Sequence, residues 1–60
     1  MKYFVCSLNS KKIFFVGADY IQCVNYLNTA EFQLVRTLYR DDAETHFSIV
    51  SEEYWNSYFS

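Results

Sequence analysis

The stretch that decides the fold is YFVCSLNSKKIFFV, residues 3–16. Its two ends are rich in aromatic and β-branched side chains, which favour strands. The polar segment between them, Asn9 to Lys12, is compatible with a turn. This pattern predicts a β-hairpin with strands over residues 3–8 and 13–16.

Both faces of this predicted hairpin are apolar. With the turn centred on Ser10 and Lys11, Cys6 is expected opposite Phe15, and Phe4 lies on the same face, which we interpret as the core. The opposite face carries Tyr3, Val5, Ser7, Phe14 and Val16. A sheet surface that faces water is normally more polar than this. We therefore expect something to cover part of this second face.

A helix is predicted to follow over residues 19–28. Asp19 is a good N-cap, and Gln22 stands three residues later, in the spacing of a capping box. The apolar side chains that gather on one side of this helix are Tyr20, Ile21, Cys23, Val24 and Leu27. We expect that side to pack on the face of the hairpin that carries Phe4 and Cys6.

Residues 32–40 are compatible with two structures. Their apolar side chains recur with helical spacing, and periodicity alone favours a helix. However, the strand-like run 45–50 follows a turn-like cluster at 41–44 and needs a neighbouring strand. We therefore predict a second hairpin that pairs 32–40 with 45–50, with the helix as the alternative.

The last predicted element is a short C-terminal helix. Ser51 is a good N-cap, and two glutamates follow it, where negative charge favours the start of a helix. Four aromatic residues share one side of this helix: Tyr54, Trp55, Tyr58 and Phe59. A helix of two turns is not stable alone in water. We therefore expect it to dock on its own domain or on another molecule.

Together these elements predict an α+β fold in a single domain, residues 1–60. A small antiparallel sheet of about four strands, in two hairpins, carries one amphipathic helix on a face, and a short C-terminal helix follows. The chain has 60 residues and 13 aromatic side chains, with one glycine and no proline. A domain of this size buries only about 60% of the surface of its unfolded chain. We therefore expect apolar surface to stay exposed, and a homodimer to form.

The residues contain no motif for catalysis, for a metal or for a cofactor. His46 is the only histidine, and both cysteines, Cys6 and Cys23, fall on faces assigned to the core, where a thiol stays protonated. The three residues lack the closely spaced ligand pairs of zinc sites, and the lone Gly17 rules out a glycine-rich phosphate loop. We predict a protein that is not an enzyme and that uses no cofactor and no metal.

Charge and hydropathy limit the classes of partner and the cellular location that we expect for this protein. The formal net charge is −2 and the pI is near 5.0, which disfavours nucleic acid as a partner. The longest apolar stretch falls far short of the ~20 residues that a membrane helix needs, so no membrane span is expected. The N-terminal residues lack the features of a secretory signal. We therefore expect reduced thiols and a cytoplasmic location.

Two groups of residues are candidates for contact with a partner protein. The first is the C-terminal group Tyr54, Trp55, Tyr58 and Phe59, since Trp and Tyr are enriched at the energetic centres of interfaces. The second is the acidic group Asp41, Asp42 and Glu44. Each group has an alternative: the rings complete the core, and the acids only keep the domain soluble.

In small size, lack of a signal sequence and richness in Tyr, Phe, Asn and Ser, the chain resembles accessory proteins of bacteriophages and mobile elements. The resemblance implies a small acidic protein that binds and inhibits a host enzyme or defence complex. We predict a protein-binding module of this kind. The alternative is a small domain that binds single-stranded nucleic acid, with Tyr3, Phe14 or Tyr39 stacking on bases.

Overall fold

The computed structural model describes residues 1–42 and 45–60. Within these residues the fold is α+β, as predicted, with an antiparallel sheet of three strands and with three helices. The elements are β1 (Tyr3–Ser7), β2 (Lys12–Gly17), α1 (Tyr20–Leu27), α2 (Ala30–Leu38), β3 (Ser48–Ser51) and α3 (Glu52–Tyr58). The strand order is β2-β1-β3. None of these helices has the length and the apolar character needed to cross a membrane.

The first hairpin forms as predicted, but in a different register. The hydrogen bond from the Lys11 N–H to the Leu8 carbonyl closes the turn, which is therefore centred one residue earlier than expected. Cys6 consequently lies opposite Ile13 and not opposite Phe15, so the predicted pairing is wrong. The next pair is Val5 and Phe15, so β2 contains one extra residue, Phe14, between its two paired residues Ile13 and Phe15. This extra residue makes a β-bulge.

The sheet has two different faces, which we name by what covers them. The helix face, on which α1 and α2 pack, carries Tyr3, Val5, Phe14, Phe15 and Ile49. The reverse face carries Phe4, Cys6, Ile13 and Val16. The prediction that α1 covers Phe4 and Cys6 is therefore wrong. The last residue of β2, Gly17, has no side chain, and this allows α1 to approach the helix face.

The core on the helix face is small and mostly aromatic. Its buried members are Val5, Cys23, Tyr26 and Phe32. The rings of Tyr26 and Phe15 stack with centroids 4.3 Å apart and planes 7° apart. The Phe32 ring meets the Tyr26 ring at 5.6 Å, close to edge-on. Aromatic pairs of this kind contribute about 0.5–1.5 kcal/mol beyond the area that they bury.

Helix α1 begins as predicted, and Cys23 and Leu27 pack in the core as expected, but the buried side of the helix is rotated relative to the prediction. The Asp19 carboxylate accepts a hydrogen bond from the Gln22 N–H at 2.9 Å, and the Gln22 side-chain oxygen accepts one from the Ala18 N–H at 2.8 Å. Ile21 and Val24, which were expected in the core, are 66% and 36% exposed. Stacking of the large Tyr26 ring on the sheet rotates the helix and leaves these smaller side chains outside.

Helix α2 replaces the predicted second hairpin, so that prediction of a fourth strand is wrong. The Thr29 hydroxyl caps α2 by accepting a hydrogen bond from the Phe32 N–H at 3.2 Å, and it donates one to the Tyr26 carbonyl at 2.6 Å. This local cap agrees with the helical periodicity of the segment. The predicted strand 45–50 is shifted to 48–51, as β3, and pairs with β1.

Candidate protein-binding surface

Helix α3 is fixed to the sheet at its first turn. The Ser51 hydroxyl accepts a hydrogen bond from the Tyr54 N–H at 3.1 Å, which confirms the predicted N-cap. The Glu52 N–H donates to the Lys2 carbonyl at 2.9 Å, immediately before the start of β1. These two bonds define where the helix leaves the sheet, because they satisfy amides that the first turn would otherwise leave unpaired.

Two of the four aromatic side chains of this segment face the sheet. The Trp55 ring lies 5.9 Å from the ring of Phe4 on the reverse face, with the planes 86° apart. The Phe59 ring packs 4.5 Å from Trp55, and the Lys11 ammonium lies 5.2 Å from its centroid. Since Phe4 is only 7% exposed, Trp55 contributes to burying this part of the sheet.

The other two aromatic side chains face away from the sheet. Tyr54 and Tyr58 are 52% and 50% exposed, and their rings stack with centroids 6.2 Å apart and planes 22° apart. We name these two residues the tyrosine pair. The broad aromatic side predicted for this helix is thus divided, with one edge against the sheet and the other in solvent.

The acidic candidates take different positions. The Asp41 side chain is 95% exposed and lies 3.8 Å from the Arg40 guanidinium, a surface pair of little energetic weight. The Asp42 carboxylate accepts a hydrogen bond from the hydroxyl of buried Thr45 at 2.7 Å. Glu44 lies outside the residues that the structure describes. Asp42 therefore has a structural role in its turn in addition to its charge.

The Thr45 hydroxyl also joins this turn to the first hairpin. It lies 3.2 Å from the Ser10 hydroxyl. Because the single proton of the Thr45 hydroxyl goes to Asp42, the Ser10 hydroxyl is the donor in this second bond. The segment that precedes β3 is thereby held against the β1–β2 turn.

The two cysteines are free and fully buried. Burial raises the pKa of the Cys6 thiol, and the nearby Cys23 raises it further. Burial also raises the pKa of Cys23, although an N–H···S bond from Gly17 opposes part of this effect. Protonated thiols are poor nucleophiles. Among the described residues, no group of three or more His, Cys, Asp or Glu side chains is placed to hold a metal ion.

The rings named as candidates for base stacking contact other rings of the protein. Tyr3 meets Tyr20 at 5.9 Å, and Phe14 meets Tyr39 at 5.4 Å. The Lys12 ammonium lies 4.6 Å from the Tyr39 centroid. Each of these rings therefore already has an aromatic neighbour within the protein.

One open groove lies beside β2 and has a volume of about 530 Å³. Its lining combines the stacked rings of Phe15 and Tyr26 with the polar side chains of Gln22, Asn25, Thr29 and Glu31. Tyr26 belongs to the core, so the groove is a depression over the core of the helix face.

Several apolar side chains that the sequence pattern does not mark as surface residues are exposed in the structure. Leu34 and Leu38 of α2 are 68% and 80% exposed, and Ile13 and Val16 of β2 are 43% and 49% exposed. The available signal was the large number of apolar residues around each element, more than one contact face can bury.

Comparisons of this chain with protein-family models, with curated proteins and with solved structures found no match.

Proposed function

We propose that this protein is a non-enzymatic protein-binding module whose contact surface is centred on the tyrosine pair of α3. The observation that carries the proposal is the division of roles within this helix. Trp55 and Phe59 anchor α3 on the sheet, while Tyr54 and Tyr58 remain half-exposed and stacked. Aromatic side chains on a fixed helix lose little conformational entropy on binding, and Tyr is enriched at interface centres.

The partner that fits this surface is a protein with an apolar cleft bordered by basic groups. Glu52 and Glu53 stand in the first turn of α3, next to the tyrosine pair. We propose that Asp41, Asp42 and Glu44 add negative charge that favours approach to such a partner, without contributing most of the contact area.

The biological role that we propose follows the resemblance to bacteriophage and mobile-element accessory proteins. In that role the module occludes a host enzyme or defence complex and so inhibits it. We propose the cytoplasm as its location, because buried free thiols such as Cys6 and Cys23 persist in a reducing compartment.

The binding proposal is tested with three immobilised proteins exposed to extract of the source cells. These are the wild type, the double variant Tyr54→Ala/Tyr58→Ala, and the control Leu34→Ala/Leu38→Ala, which removes exposed apolar surface from α2 instead. We expect a specific protein to be captured by the wild type and the control, and at least about tenfold less by the tyrosine variant. Equal capture by all three, or capture of no specific protein, contradicts the proposal.

The inhibitory role has a separate test. If the captured protein is an enzyme, titration with the wild type is expected to lower its activity, and the tyrosine variant is expected to require at least about ten times more protein for the same effect. Binding that leaves the enzyme's activity unchanged would support the protein-binding function and reject the inhibitory role.

Binding of single-stranded nucleic acid is the alternative function. It predicts affinity for a fluorescent oligonucleotide that falls steeply between about 50 and 200 mM salt. Our proposal predicts no binding in this assay. Salt-sensitive binding that the double variant Lys11→Gln/Lys12→Gln abolishes would favour the alternative.

A further inference from the structure

We propose that the outer edge of β2 pairs with a second copy of this chain, in a two-fold symmetric dimer that joins two sheets of three strands into one of six. β2 is an edge strand in the order β2-β1-β3, and within residues 1–42 and 45–60 no strand pairs with its outer side. The backbone groups on such an edge are a template for a further strand. This surface is different from the tyrosine pair, so the inference goes beyond the proposed function.

The side chains of β2 form a pattern that reads the same in both directions. Because of the bulge, Phe14 and Phe15 both lie on the helix face, where their rings contact Phe47 and Tyr26 respectively. Ile13 and Val16, on either side of them, both lie on the reverse face. The pattern is therefore symmetric about the midpoint between Phe14 and Phe15.

This symmetry determines the register of the dimer. When two copies of β2 run antiparallel about that midpoint, Phe14 lies opposite the second copy's Phe15, and Ile13 lies opposite the second copy's Val16. Both pairs match in face, so the helix face and the reverse face continue across the boundary. In a strand whose side chains alternate regularly between the two faces, this register would place side chains of opposite faces opposite each other. The bulge thus allows the edge to pair with its own copy in this register, although bulges often protect edges.

The other edge strand does not meet this condition. β3 has four residues, in which Ile49 lies on the helix face and Val50 on the reverse face. Antiparallel pairing about its midpoint sets Ile49 opposite the second copy's Val50, which belongs to the other face. Any shifted register pairs fewer than four residues. We therefore assign the dimer to β2.

Apolar exposure along β2 supports the same assignment. Ile13 and Val16 are 43% and 49% exposed, whereas their partners on β1, Cys6 and Phe4, are 0% and 7% exposed. The apolar side chains on the reverse face are thus covered over β1 and uncovered over β2. A second copy would cover the two aliphatic side chains of each chain with those of the other.

Charge is also complementary between two copies. Lys12 is the first residue of β2, Lys11 immediately precedes it, and Asp19 follows the end of the strand; all three side chains are exposed. In an antiparallel pair, the lysines of each copy lie near the second copy's Asp19, and this arrangement occurs twice. The edge therefore fits its own copy in backbone, side-chain face and charge, which is the reason that we assign a second copy as the occupant.

The dimer is tested by sedimentation analysis over a range of concentrations up to about 1 mM. The wild type is expected to show a monomer–dimer equilibrium, and Val16→Lys to raise the dimer Kd by roughly a hundredfold, because both copies lose a buried aliphatic contact. The control Leu38→Lys, at a more exposed apolar position on α2, is expected to leave Kd unchanged, as is Tyr54→Ala/Tyr58→Ala. A wild type that is monomeric throughout overturns the proposal, and so does a dimer that Val16→Lys does not weaken.

The register is tested by oxidative cross-linking between two variants, Ile13→Cys and Val16→Cys. Both also carry Cys6→Ala, because Cys6 lies opposite Ile13 within one chain and would capture the new thiol. A mixture of the two variants is expected to form a covalent dimer. Either variant alone is not, since equal positions are offset by about 10 Å along the strands and a disulfide needs Cα atoms within about 7 Å. Dimers from a single variant, or none from the mixture, would reject this register.

Discussion

At the scale of single residues, Gly17 determines how closely α1 approaches β2. A Cβ atom at this position would lie 3.0 Å from the Cys23 sulfur and 3.1 Å from the Asp19 carbonyl oxygen. Since both distances are shorter than ordinary contacts, Gly17→Ala is expected to reduce the free energy of unfolding by about 1–3 kcal/mol. Urea denaturation followed by circular dichroism measures the change. An unchanged or higher stability would contradict the close approach.

Two buried thiols and one buried phenol allow us to predict how the free energy of unfolding varies with pH. Burial raises the pKa of Cys6, Cys23 and Tyr26 in the folded protein. In the unfolded chain a thiol ionises near pH 8.5 and a tyrosine near pH 10. Above these values the unfolded state releases protons that the native state retains, so the free energy of unfolding falls as the pH rises beyond about 8.5.

The measurement is urea denaturation at pH 7, 8.5 and 9.5. In the double variant Cys6→Ala/Cys23→Ala, the decrease in unfolding free energy between pH 7 and 9.5 is expected to be much smaller than in the wild type. The comparison uses the difference between pH values within each protein, so any constant loss from the two substitutions cancels. The same decrease in both proteins would show that other groups cause it.

Residue-level prediction from sequence succeeded where the cause is local. The caps at Asp19 and Ser51 were predicted because each acceptor and its amide are three residues apart. Burial of Tyr26 was not predicted, because it depends on a stack with Phe15, eleven positions earlier in the chain. Helical periodicity describes a helix alone and does not say which arc of it meets the largest neighbouring side chain.

At the scale of elements, α3 depends on Trp55 for its attachment to the sheet. Trp55→Ala removes the ring contacts with Phe4 and Phe59 and is expected to cost about 2–4 kcal/mol of stability. The matched control on the same helix, Tyr54→Ala, removes a half-exposed ring and is expected to cost about 0.5 kcal/mol. Circular dichroism in urea is the appropriate measurement, since Trp55 is the only tryptophan. Equal costs would mean that the ring of Trp55 does not anchor the helix.

Element prediction failed where two segments competed for a neighbour. The run 45–50 required a strand beside it, and residues 32–40 were predicted to be that strand. The structure pairs β3 with β1 instead, more than 40 positions earlier, and leaves the helical periodicity of α2 intact. Strand pairing across such a distance leaves no local pattern, whereas the two-residue connection between α1 and α2 and the Thr29 cap are local signals that were available.

At the scale of the whole molecule, the accessible surface area is typical for the mass of the protein, whereas the kinds of apolar side chain exposed on that surface are not typical. The accessible surface is 4263 Å², and a monomer of this mass exposes about 4,100 Å². All 13 aromatic rings contact another ring, and the most exposed large apolar side chains of the helices and strands are aliphatic: Ile21, Leu34 and Leu38. The expectation that apolar side chains stay exposed thus holds more for aliphatic residues than for the rings that suggested it.

A dimer across β2 makes the stability of the whole molecule depend on protein concentration. Because unfolding separates two chains, a tenfold increase in concentration favours the native dimer by about 1.4 kcal/mol. The urea midpoint is therefore expected to rise with concentration wherever the dimer is populated, both in the wild type and in Tyr54→Ala/Tyr58→Ala, and to begin to rise in Val16→Lys only at roughly a hundredfold higher concentration. A wild-type midpoint that is constant up to about 1 mM contradicts the dimer. A midpoint that rises equally in Val16→Lys would show that the contact does not involve β2, since in the proposed strand pair each substituted lysine lies opposite the other copy's Ile13.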